Sequence, residues 1–170
     1  YSEESGGYLT TGGSLANWSA IVTARRVLLP ANFLNGVIYT TAQAHHSVTK
    51  SAILAGFPEA NIRVVDTEEL SLSTNHLQQL ISNDLSEGMR PFMVVANAGT
   101  TNTGAIDPLI NISKICKQHE MWMHTDAAYG GFFMMTERGR EALRGLELSD
   151  SITLDPHKAL FLPYGTGCLL

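Results

Sequence analysis

The sequence has 170 residues, 44% hydrophobic and 16% charged, a globular composition with enough chain to bury a core as one domain. Its formal net charge of -5, without any basic run, argues against nucleic acid or an anionic membrane surface as a partner. No apolar stretch approaches the length of a membrane span, and the polar segment YSEESGGYLTTGG lacks the basic start of a secretory signal, so the sequence reads as cytoplasmic.

Apolar periodicity switches repeatedly between two and three-to-four along the chain. It predicts a helix over 14–29, closed by Pro30, and then a strand over 36–41. A short helix over 47–55 ends at Gly56, and a strand follows at 62–65. Residues 74–86 read as a helix with Ser73 as N-cap and Gly88 beyond its end. The continuous apolar run 92–96 reads as a strand covered on both faces. Asp107-Pro108 opens a helix over 109–119, strands follow at 121–125 and 151–154, and the segment 167–170 is strand-like. Strands alternating with helices predict an α/β fold: a three-layer, mostly parallel sheet with helices on both faces. Ligands of such sheets gather beyond the carboxyl ends of the strands, which singles out the loops 41–46, 98–103, 126–131 and 155–158.

Those loops hold the residues that carry chemistry. Lys158 sits in the apolar run SITLDPHKALFLPYGTG, and its amine either snorkels to solvent or, with a lowered pKa, serves as a Schiff-base nucleophile. Asp126 ends an apolar strand, where it either caps the following turn or pairs with a ligand cation such as a protonated pyridine nitrogen. His124 and Asp126 share a strand face, but no third ligand joins them, so no metal site is read. Cys116 and Cys168 have neither CxxC nor metal spacing and read as reduced thiols. Thr11-Gly12-Gly13-Ser14 opens the first helix and suits a phosphate monoester. His45 offers a flat ring for stacking, and Thr100 lies in a polar turn at another strand end. An anion cradle, a flat ring, a carboxylate and a Schiff-base lysine are together the parts that a pyridoxal phosphate site needs.

TTGGSLAN (10–17), QAHHSVTKSA (43–52), NAGTTNTGAIDP (97–108), HTDAAYGG (124–131) and DSITLDPHK (150–158) resemble, in the same order, segments of the group II pyridoxal phosphate-dependent amino-acid decarboxylases. The chain is most similar to their aromatic-L-amino-acid decarboxylase branch. The resemblance implies the large domain of the aspartate aminotransferase (type I) fold, with pyridoxal 5'-phosphate as cofactor. It implies that Lys158 forms the Schiff base, Asp126 pairs with the pyridinium nitrogen and His45 stacks on the ring. Gly13 and Ser14 would hold the phosphate with His157 beside them, Thr100 and Ala128 would line the ring, and Asp155 would stand near the cofactor. His46 receives no role. The implied reaction releases carbon dioxide and an amine from an L-amino acid, aromatic first, in a homodimer. Ala159 departs from the pattern, standing where close aromatic decarboxylases usually carry Trp. Another type I lyase, or a non-catalytic fragment or paralogue, stays open as an alternative. The lack of an initiating Met and the apolar ending GCLL predict a piece of a longer polypeptide, without the family's amino-terminal segment and small carboxyl-terminal domain.

Overall fold

The computed structural model describes residues 5–170. In chain order its elements begin with β1 (Tyr8–Thr10), α1 (Gly13–Leu28), β2 (Gly36–Thr41), α2 (Ser47–Leu54) and β3 (Ile62–Val65). The hairpin β4 (Thr67–Glu68) and β5 (Ser71–Leu72) leads into α3 (Thr74–Ser86), β6 (Arg90–Asn97), α4 (Leu109–Gln118) and β7 (Trp122–Asp126). Then come α5 (Glu137–Ala142), β8 (Ser151–Leu154), the single turn α6 (Pro156–Ala159) and β9 (Gly167–Leu169).

The main sheet has the order β1-β9-β8-β7-β6-β2-β3. From β8 to β3 every neighbouring pair is parallel, whereas β9 runs antiparallel to both β1 and β8. Side chains alternate across it, except at the register shift where Phe92 and Met93 share a face. In β2 and β6, Val37, Tyr39, Val94 and Ala96 face a core that includes Leu77 and Ile81 of α3 and Ile112 and Cys116 of α4. Ile38, Met93 and Val95 face the opposite core, with Ala16, Ala20, Ile21 and Ala24 of α1 and Val48 and Ala52 of α2. Both faces of these central strands are therefore covered, the physical reason that they read as unbroken apolar runs. This is the predicted three-layer α/β architecture with helices on both faces of a mostly parallel sheet.

Four local features differ from the sequence reading, and the first is α5, a helix over Glu137–Ala142 that it did not predict. The β4–β5 hairpin turns through Glu69 and Leu70, both at positive φ (49° and 71°), without the Gly or Asn that marks such turns. Strand β1 is three residues long with Leu9 77% exposed, so it carries no apolar alternation to detect. Residues 156–159 form the helical turn α6 rather than a loop. Asp107 also does more than open α4. Its buried carboxylate accepts the N–H groups of Leu72 (2.8 Å) and Asn97 (2.6 Å) and the Asn97 side-chain amide (2.9 Å), tying the end of β6 to the hairpin.

Candidate active site

The carboxyl ends of β2, β6, β7 and β8 and the amino end of α1 converge on one cavity of about 280 Å³. Gly13, Ser14, His45, Thr100, Asp126, Ala128, Asp155, His157 and Lys158 all line it, so the structure brings together every site residue read from the sequence. Parallel pairing explains much of this, because Asp126 lies opposite Asn97 of β6 and Thr153 of β8 in register.

At one end, α1 starts without a side-chain cap on Gly12, which leaves its first N–H groups available to an acceptor. Gly12 has φ +145°, a conformation that a side chain would strain. Gly13 is confined for a different reason: a Cβ there would stand 3.0 Å from Asp155 Oδ2. The Lys158 amine lies 2.9 Å from that same oxygen. Asp155 is buried, and its Oδ1 has no hydrogen-bond partner. His157 donates from Nδ1 to the Thr166 carbonyl at 2.6 Å, which turns its Nε2 towards Asp155 Oδ2 at 3.7 Å.

At the other end, Asp126 accepts the Ala128 N–H on Oδ1 (3.1 Å) and the Asn17 side-chain amide on Oδ2 (2.9 Å). It therefore caps a turn and faces the cavity at once. His45 Nδ1 meets the Ser47 hydroxyl at 2.7 Å, and its ring lies 4.1 Å from that of His46, centre to centre. Burial, and secondly the neighbouring His46, lower the His45 pKa from its ordinary 6.5, against the pull of Asp126. His124 is fully buried, and desolvation pushes its pKa below the same value. Both its ring nitrogens are engaged, by Asn17 (3.0 Å) and Ser151 (2.8 Å), which leaves neither for a metal.

Sequence reasoning missed Asn17, Ser47, Asn97, Tyr129 and Tyr164, which also line the cavity. Asn17 left a signal: it is a polar residue among Ala16, Ala20, Ile21 and Ala24 on the buried stripe of α1.

The arrangement fits pyridoxal phosphate. An uncapped helix start beside a glycine with little room for a Cβ suits the phosphate, and Asp126 is a fixed carboxylate lining the same cavity. Lys158 supplies an amine in the same cavity, and the unpartnered Asp155 oxygen is a buried acceptor still open to a donor. The volume lies near the ~300 Å³ lower bound of small-molecule sites.

Comparison with known proteins agrees. The model of the pyridoxal-dependent decarboxylase conserved domain matches residues 1–170. The chain is 41% identical to an aromatic-L-amino-acid decarboxylase of Bacillus atrophaeus, over 96% of this chain and 34% of that protein. It is 42% identical to an L-2,4-diaminobutyrate decarboxylase of Rhizobium meliloti (strain 1021), over 96% of this chain and 33% of that protein. Its fold superposes with TM-score 0.93 on the glutamate decarboxylase domain of a diaminobutyrate-pyruvate transaminase and L-2,4-diaminobutyrate decarboxylase from Vibrio parahaemolyticus. That match has 32% identity and covers 99% of this chain and 39% of that one. The chain thus spans about a third of the length of the curated relatives it matches. With its fold, its cavity and a family match along its whole length, the chain belongs to the pyridoxal-dependent decarboxylase family, whose cofactor is pyridoxal phosphate.

Proposed function

We propose that this chain is the cofactor-binding part of a decarboxylase that converts an L-amino acid to its amine and carbon dioxide. The observation that carries the reading is the single cavity in which Lys158, Asp126 and the start of α1 meet. When bound, pyridoxal phosphate supplies an electron sink for the pair left behind as the Cα–carboxylate bond breaks. The protein's residues bind and orient. The N–H groups of Gly13 and Ser14, with His157 beside them, hold the phosphate end. Lys158 is the amine that attaches the cofactor covalently, and Asp155, 2.9 Å away, keeps that amine inside the cavity. Asp126 holds a proton on the pyridine nitrogen, and a nitrogen kept cationic is what makes the ring a strong acceptor of electrons. His45 covers one ring face, while Thr100 and Ala128 flank the ring and limit the water that reaches it.

An aromatic amino acid is the first candidate substrate, supported by the 41% identity to the Bacillus atrophaeus enzyme. L-2,4-diaminobutyrate is the second, supported by the 42% identity to the Rhizobium meliloti enzyme. The homodimer and cytoplasmic location implied by the resemblance belong to the same reading. Sedimentation of the full-length protein measures the dimer. Borohydride reduction of the loaded protein followed by peptide mass analysis is expected to find the cofactor on Lys158. Carbon dioxide release from a panel of amino acids then identifies the substrate. No adduct on Lys158 would overturn the reading.

A further inference from the structure

We infer that Asn17 is a positioning residue whose single side-chain amide orients the Asp126 carboxylate and, through Ser47, fixes the ring of His45. The inference rests on the cofactor reading of the cavity, because Asp126 and His45 are the two groups it sets against the cofactor ring.

Groups that have no choice of role determine the hydrogen-bond directions. The Ser47 backbone N–H donates to His45 Nδ1 at 3.2 Å, so that nitrogen is an acceptor. The Ser47 hydroxyl at 2.7 Å therefore donates to it as well, and the ring proton sits on Nε2. With its proton committed, the Ser47 oxygen accepts from Asn17 Nδ2 at 3.0 Å. The second Nδ2 proton goes to Asp126 Oδ2 at 2.9 Å. Asn17 Oδ1 is then free to accept, from the Thr153 hydroxyl at 2.7 Å and from His124 Nε2 at 3.0 Å. Consequently His124 Nδ1 accepts from Ser151 Oγ at 2.8 Å, and Ser151 Oγ accepts the Trp122 indole N–H at 2.8 Å. A flipped Asn17 amide would set its oxygen against the Asp126 carboxylate, so the orientation is fixed by charge.

Every member of this chain is satisfied, and Asn17 is its branch point. Asn17 is 1% exposed, and His124 and Thr153 on its carbonyl side are fully buried, so a partner lost there leaves a buried polar group unpaired. One branch ends on the carboxylate and the other on the imidazole, and both ends line the cavity. The charged or titratable groups facing His45 are His46, Asp126, Lys158 and Asp155. None of them hydrogen-bonds to Nδ1; both donors to it come from Ser47, the backbone N–H setting the tautomer and the hydroxyl, which the Asn17 branch orients, adding a second bond.

Asn17→Asp keeps the side-chain shape and the acceptor for His124 and Thr153 but removes both donors, and its carboxylate draws the Ser47 hydroxyl away from His45. Ser47→Ala removes the His45 branch alone. In the holoenzyme, Asn17→Asp is expected to lower kcat about 10–100-fold, the size of effect seen for outer-shell partners of ligating groups, with KM and cofactor retention near wild type. Ring NMR, in loaded and cofactor-stripped protein, is expected to show the His45 titration moving up in each single variant. The double variant is expected to move it by less than the sum, because both changes break one branch. Additive shifts, or an unmoved His45 in Ser47→Ala, would overturn the inference even if Asn17→Asp proves too unstable to assay. A wild-type protein that never forms the Lys158 adduct would instead overturn the cofactor reading, and the His45 cycle in stripped protein would still decide the wiring.

Discussion

Asp126 divides its two oxygens between a backbone N–H of its own turn and a side-chain amide from α1, and neither bond neutralises its charge. A carboxylate held this way is set in position before any ligand arrives, which is what makes an electrostatic partner effective. Asp126→Ala is accordingly expected to lower kcat about 10²–10³-fold, while the Lys158 linkage and the α1 contacts retain cofactor. Parallel measurement of turnover and bound cofactor checks this, and an unchanged kcat would count against the assigned role. Asp126, Lys158 and His45 were legible in the sequence because Asp126 ends β7 and the other two lie in the short segments that follow β8 and β2. Asn17 was not, since its Asp126 partner is 109 residues away and nothing local distinguishes an interior amide from one with a distant task.

At the scale of elements, the strands and long helices were legible within a residue or two, because burial on both sheet faces writes itself into the apolar pattern. What escaped was short or held from outside: β1, the β4–β5 hairpin, α5 and α6. Strand β9 is the element on which the site leans. A Cβ on its Gly167 would meet the Gly12 Cα and carbonyl carbon at 2.5 Å, and backbone cannot swing aside as a flexible side chain would. Gly167→Ala is therefore expected to push the Thr11–Gly13 turn outward, weakening cofactor affinity and lowering Tm together. Fluorescence titration of the cofactor and a thermal melt test this, and a variant with wild-type affinity would show that the turn tolerates the shift.

For the whole molecule, the buried His124 makes stability fall with acidity, and His45, lowered in the same direction, adds to the decline. The folded pKa of His124 lies below the ordinary 6.5, because burial penalises the charged ring. Unfolding therefore takes up a proton as pH falls below 6.5, and stability declines with acidity by up to about 1.4 kcal/mol per pH unit until the folded value is reached. Denaturant melts between pH 7 and pH 5 measure this slope, and His124→Asn is expected to flatten it. A wild-type slope in that variant would assign the effect elsewhere.

The placing of β9 between β1 and β8 has a consequence for the order of events during synthesis. Gly12 meets Gly167, and Asn17 hydrogen-bonds Thr153 across 136 residues, so the two ends of this segment close the cavity on each other. Such non-local pairings are slow to form, and until the ribosome has released residues 167–169 the strand between β1 and β8 is missing from the sheet. A nascent chain halted before Gly167 therefore has Lys158 but lacks the strand that packs against the Thr11–Gly13 turn.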